Sequence, residues 1–255
     1  MDLSIIVIIL ISASFCKNPF SCGQILTEKK PYGLVERQVD CEYTNMDGLI
    51  SVLEFKKGTD IQHGTGIHYD TLWRKRDSCF YLNGEKNGTC LIWDTLGNEV
   101  GRATYRHGKN VGKREVYFSS NHPALIKNYN TSGQEEGPWF EWWKNGNKKV
   151  ELIAKNGEII SGSEYYQDGK PRIQYRDKYD PKNRNVLKTK TIEGEAWAPN
   201  GKSTGRIEKG NGEWLKFPDG KDPENKSVFH EIYKDGLMIK VERLDSAQIA
   251  QWLKP

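Results

Sequence analysis

The chain has 255 residues, 36% hydrophobic, 28% charged and 11% aromatic, with a formal net charge of +4. That is too polar for a protein of several membrane spans and too rich in rings for a disordered chain, and the charge gives only a weak pull on anionic partners. Glycine is the outlier: 25 residues spread along the chain, above the usual ~7%, point to recurrent tight turns.

Residues 1–23 read as a signal peptide or lipoprotein-type leader. Leu3 to Phe15 holds the strongly apolar run Ile5-Ile6-Val7-Ile8-Ile9-Leu10-Ile11, followed by Ser12, Ala13 and Ser14. As a helix this run rises about 20 Å, short of a hydrocarbon core of about 30 Å, so a secretory segment explains it better than a span. The start is irregular in carrying Asp2 and no Lys or Arg. Cys16 stands where a bacterial lipoprotein carries its acylated cysteine, although Phe15 is bulky where a small residue is usual. Plain cleavage near Ser14 or Gly23 is the other reading. Either one places the protein outside the cytoplasm: periplasmic, outer-membrane-associated or secreted. Membrane contact is then expected only through a lipid anchor or an uncleaved leader.

The five cysteines are Cys16, Cys22, Cys41, Cys79 and Cys90. Cys79 and Cys90 are equidistant from the Gly84–Glu85 bond, so a hairpin with the loop Asn83-Gly84-Glu85-Lys86 sets them opposite one another. A disulfide there contributes about 3 kcal/mol in the loop-entropy model; Cys22–Cys41 is left as the second pair. With no Cys-x-x-Cys and with His63, His68, His107, His122 and His230 scattered singly, no metal site is expected.

After an N-terminal segment, 24–54, a repeat governs residues 55–176. Trp93, Tyr117, Trp142 and Tyr166 lie 24, 25 and 24 residues apart, each among glycines at similar offsets, with Gly64 and Tyr69 one period upstream. Asn-Gly or Asp-Gly recurs, for instance at Asn83-Gly84, Asn87-Gly88, Asn145-Gly146, Asn156-Gly157, Asp168-Gly169, Asn211-Gly212 and Asp235-Gly236. Both residue types tolerate the positive φ that hairpin turns demand. Between turns lie short runs rich in aromatic and β-branched residues, among them Leu91-Ile92-Trp93, Glu115 to Phe118, Trp139 to Trp143 and Lys149 to Ala154. Turns this close leave no room for crossover helices. The predicted fold is all-β: an elongated, single-layer antiparallel meander of repeated hairpins. Residues 177–192, polar and basic, read as a linker or insertion, 193–244 as degenerate repeats, and 245–255 as a short amphipathic helix over the open last strand.

Lys57-Gly58 followed by His63-Gly64-Thr65-Gly66-Ile67-His68-Tyr69 resembles the core of MORN repeats. Trp143-Lys-Asn-Gly-Asn147 and Tyr166-Gln-Asp-Gly-Lys170 are similar to the MORN variant of YwqK-family toxin–antitoxin antitoxins. The resemblance covers 55–176 well and 190–240 loosely. It implies a MORN-like fold and an antitoxin-like binding protein, and it names no catalytic residue.

Rings are the one functional opening. On an extended strand Trp139, Glu141 and Trp143 share one face while Phe140 and Trp142 share the other. Trp93, Tyr117, Trp142 and Tyr166 should stack along one face, where a single sheet cannot hide every ring. Out-of-phase Trp139 and Trp143 are the stronger surface candidates. Glu135-Glu136 sit at a turn, there is no Gly-x-Ser-x-Gly, and the glycines precede strands rather than helices, so neither catalysis nor a cofactor is expected. Rings do not alternate with the bases of 177–192, which weighs against nucleic acid. The sequence therefore reads as a non-enzymatic, exported β-repeat scaffold for a protein partner at the cell envelope. The alternative is a carbohydrate- or peptidoglycan-binding module using the same rings.

Overall fold

The computed structural model describes residues 25–40, 50–179, 189–218 and 227–253. The leader with Cys16, and the pair Cys22–Cys41, lie outside the described residues. The first strands are β1 (Ile25–Lys30), β2 (Gly33–Asp40), β3 (Ile50–Lys56), β4 (Gly64–Tyr69), β5 (Lys75–Leu82), β6 (Glu85–Lys86) and β7 (Gly88–Trp93). There follow β8 (Glu99–Arg106), β9 (Lys109–Ser119), β10 (His122–Tyr129), β11 (Gly137–Trp142), β12 (Lys148–Lys155) and β13 (Glu158–Tyr165). The chain continues through β14 (Pro171–Tyr179), β15 (Thr189–Trp197), β16 (Ser203–Glu208), β17 (Asn211–Lys216), β18 (Val228–Lys234) and β19 (Leu237–Leu244) to the helix α1 (Ser246–Trp252).

All the strands belong to one open antiparallel sheet of successive hairpins, as the turn spacing predicts. Each pairs with its neighbours in sequence; β5 alone takes two segments, β6 and β7, on one edge. The segment expected as a linker begins and ends in strand: Asp177 pairs with Thr191 on β14 and β15. A composition-based reading takes these polar residues for a loop, and it is the backbone ladder between β14 and β15 that makes the described ones strand.

Two kinds of turn alternate at the two ends of the strands. At one end two-residue turns carry left-handed φ at both positions, as in Asn83-Gly84 (53° and 86°) and His107-Gly108 (47° and 74°). Their twist matches that of the strands they join. At the other end five-residue turns recur: the N–H of Trp143 donates to Asn147 O, and that of Gly146 to Trp143 O, each at 2.9 Å. The same pair of bonds closes 70–74, 94–98, 166–170 and 198–202. It also closes 130–134 at the end of the two-residue turns, and at the five-residue end β9 and β10 are joined through Ser120-Asn121 instead. Asn87-Gly88 and Asn211-Gly212 are not turns. The first falls at the break between β6 and β7, where Asn87 N–H donates to Phe80 O, and the second opens β17.

The disulfide Cys79–Cys90 joins β5 to β7 with a Cα–Cα distance of 4.3 Å. The expected opposition of the two cysteines is correct, but the hairpin closes through the two-residue turn Asn83-Gly84, since Leu82 pairs with Glu85. The break at Asn87 absorbs the extra residues before Ser78 meets Leu91.

Strand registers define two faces. Opposed residues point the same way, so an unbroken line runs from Ile67 through Ser78, Leu91, Arg102, Glu115, Ile126 and Phe140. It continues through Glu151, Ser163, Gln174, Glu195, Arg206, Glu213 and Ile232 to Lys240. We call this side face A and the other face B. The line Leu152, Gly162, Tyr175, Gly194, Ile207, Gly212, Tyr233 runs on face B. A cluster of Ile173, Ala196, Ile207 and Trp214, with Tyr175 and Tyr233, lies there. Gly194 makes it possible: a Cβ would meet the Trp214 ring at 2.6 Å and Gln174 O at 2.9 Å, so the indole lies directly on the bare backbone.

On face A, Leu215, Val228 and Leu244 form a second cluster, covered by Phe217, Ile249 and Trp252. Here α1 is seated, started by a capping box between Asp245 and Gln248 and held at its far end by Lys202 Nζ donating to Leu253 O. The helix thus covers a patch of face A that includes Leu244 at the end of β19, but not the open edge of that last strand. Its short apolar side fits a cluster of three side chains, while β19 keeps Met238, Ile239 and Val241 exposed.

The His63-Gly64-Thr65-Gly66 motif is explained structurally. His63 Nε2 bonds Tyr32 O at 3.0 Å, and Nδ1 accepts from Asn83 N–H at 3.2 Å, tying two turns together. The Nδ1 acceptor role leaves Nε2 as the donor, which fixes the tautomer.

Candidate functional site

Two positions beyond the face A line, six rings stand in a row: Tyr69, Trp93, Tyr117, Trp142, Tyr165 and Trp197. Five of them end a strand, namely β4, β7, β11, β13 and β15, and Tyr117 lies near the end of β9. All six are half-buried. One strand lies between each ring and the next, so the pitch is two strand spacings, about 10 Å. Opposite them on the returning strands come Lys75, Glu99, Pro123, Lys148, Pro171 and Ser203. Lys75 Nζ lies 6.0 Å from the Trp93 ring centroid, and Lys148 Nζ 5.7 Å from that of Phe140, which lies 5.8 Å from Trp142. Burial and the neighbouring Glu115 raise the pKa of Tyr117, so its hydroxyl stays protonated and able to donate.

Beside the row, still on face A, an open groove of about 850 Å³ has a floor of Ser161, Ser163 and Gln174 between Ile153 and Trp197. Ion pairs edge it: Arg176 with Glu193 at 2.8 Å, and Arg206 with Glu195 at 3.1 Å. Face A therefore offers flat apolar platforms next to hydroxyl, amide and charged groups. That combination suits docking by stacking and hydrogen bonding.

Of the rings singled out from sequence, Trp93, Tyr117 and Trp142 share the row. Tyr166 does not: it opens a five-residue turn, is buried, and its hydroxyl donates to Trp197 O at 2.7 Å. Burial pushes its pKa up to about 12. Trp143, expected at the surface, is also buried at the start of a turn, where Nε1 donates to Tyr165 O at 3.2 Å. Strand alternation stops at Trp142, so the extended-chain argument for Trp143 fails there. Trp139 is half-buried, and Lys127 Nζ sits 3.3 Å from its ring centroid, so the cation occupies the platform. Trp139 belongs to face B, opposite Leu152.

Tyr165 and Trp197 are the row members that the fixed 24-residue count missed. All six share an offset from the turn, the fourth residue after each ring having left-handed φ. These residues are Trp73 (58°), Gly97 (86°), Asn121 (67°), Gly146 (88°), Gly169 (84°) and Gly201 (84°). Phe80 and Tyr129, before Gly84 and Gly133, share the offset without joining the row.

Among the described residues no group of three or more His, Cys, Asp or Glu side chains could hold a metal ion. No helix among them is long and apolar enough to cross a membrane. No protein-family model matches the chain, and no curated protein matches it either.

Proposed function

We propose that the protein is a non-catalytic, exported β-repeat scaffold at the cell envelope that docks a protein partner on face A. The row of six half-buried rings carries the reading, because it is a continuous set of contacts that the sheet leaves partly open. The seat of α1 supports it. Leu215 continues the row onto β17, and there the chain lays its own amphipathic helix, through Ile249 and Trp252, on the same face. A partner presenting an apolar helical side meets the same kind of surface along the rest of the row. The antitoxin-like binding role that the MORN-variant resemblance implies is a special case of this reading.

The test is capture of partners from envelope fractions with the mature protein, against Trp93→Ala, Trp142→Ala and Trp197→Ala. Each substitution is expected to weaken capture of the same partner by about tenfold or more, as central interface rings do. Capture unchanged by all three would overturn the proposal.

One observation favours a second reading. The pitch of about 10 Å is close to the disaccharide repeat of an extended β-1,4-linked glycan, and the groove beside Trp197 carries the hydroxyl and amide groups that sugars bond. Titration with chitin or peptidoglycan oligomers, read by tryptophan fluorescence, separates the two readings. Saturable quenching that disappears in Trp142→Ala and Trp197→Ala favours the glycan.

A further inference from the structure

β19 has β18 on one side only, and among the described residues no strand pairs with its other edge. It is eight residues long, without proline or glycine; a bulge at Ile239 interrupts its ladder with β18, which is regular from Lys240 to Leu244. Leu237 is 39% exposed, Met238 52%, Ile239 59% and Val241 52%. A free, apolar strand of this length is a template for another strand, and such edges are normally guarded by charge, proline or a cover. Lys240, Glu242 and Arg243 are its only charges, and their order decides what they guard against.

We propose that two copies of the chain join through β19 in an antiparallel ladder whose two-fold axis passes through Val241. In that register Lys240 lies opposite the partner's Glu242, and Glu242 opposite the partner's Lys240. Val241 meets the partner's Val241. Lys240 already pairs with Glu242 within the strand, Nζ to Oε2 at 2.8 Å, so the axis gathers two such pairs into a cluster of alternating sign. Centring the ladder on Lys240 or on Glu242 would set like charges face to face, which is destabilising. The charges thus select one register of self-pairing rather than forbid it. An antiparallel dyad is perpendicular to the sheet, so face A of both copies points the same way. The pairing itself is independent of what face A binds, and its consequence for any ligand is two ring rows on one side.

Sedimentation of the mature chain over a range of concentrations tests this. The wild type is expected to dimerise. Val241→Lys and Val241→Glu each place like charges on the axis at an exposed position, and each should weaken self-association by about tenfold. Circular dichroism should be unchanged, and an equimolar mixture of the two variants should recover the dimer. A wild type that stays monomeric to millimolar concentration, a dimer indifferent to both substitutions, or a mixture that fails to recover it would each overturn the proposal.

Discussion

Glu54 is a carboxylate almost wholly removed from water, its side chain only 4% exposed. Arg37 Nη2 donates to Oε1 at 2.9 Å, while the Tyr32 hydroxyl and the Thr65 N–H donate to Oε2 at 2.9 and 2.8 Å. Lys30 Nζ stands 3.7 Å away. Burial pushes the pKa up, but the donors, Arg37 foremost, outweigh it and hold the group below its ordinary 4.5. A depressed folded-state pKa means that the carboxylate stabilises the fold above the unfolded value, and that this contribution fades as pH falls through the folded one. Glu54→Ala should cost about 2 kcal/mol at pH 7 by removing the acceptor that these part-buried donors share. In urea titrations the gap between wild type and Glu54→Gln should narrow from pH 7 to pH 3; a gap independent of pH would contradict the account.

At the scale of the element, the five-residue turn sets the place of five of the six rings, because its left-handed residue fixes where the strand ends and hence which ring comes last; Tyr117 precedes the two-residue turn Ser120-Asn121. Gly97 isolates this effect: its φ is +86°, and a Cβ there would meet nothing within 4 Å. Gly97→Ala should therefore cost about 1–2 kcal/mol from backbone conformation alone, and Gly97→Asn less, since asparagine visits this region more readily. Equal denaturation midpoints for the three proteins would refute the turn assignment.

The hairpins and the Cys79–Cys90 bridge were legible in the sequence because glycine turns and period-two runs are local signals. The faces of Trp143 and Tyr166 were not. The doublets Trp142-Trp143 and Tyr165-Tyr166 each give one ring to the row and one to the turn, and only the position of the left-handed residue decides which. The strands at 177–179 and 189–192 were hidden for another reason: their composition is polar and basic, and it is the ladder with their neighbours that makes them strand. The seat of α1 was equally illegible, since it depends on Leu215, Val228 and Leu244 from three different strands coming together.

For the molecule as a whole, neighbour-only pairing means that stability is a sum of local interfaces rather than a property of one core. The two buried clusters both lie toward the C-terminal part, at β14–β18 and around α1. Hydrogen exchange should accordingly report several sub-global openings, with different protection along the chain. Reducing Cys79–Cys90 should accelerate exchange in β5, β7 and their neighbours while leaving β16–β18 as they were. A uniform acceleration would mean a single cooperative unit, contrary to the pairing scheme.

That scheme also bears on how the protein is made. No strand among the described residues waits for a remote partner, so each hairpin can close as soon as its second arm has been synthesised. The unpaired edge then passes from each strand to the next as synthesis proceeds. Only when β19 arrives does that moving edge become permanent, the one end of the ribbon that nothing later in the described chain extends.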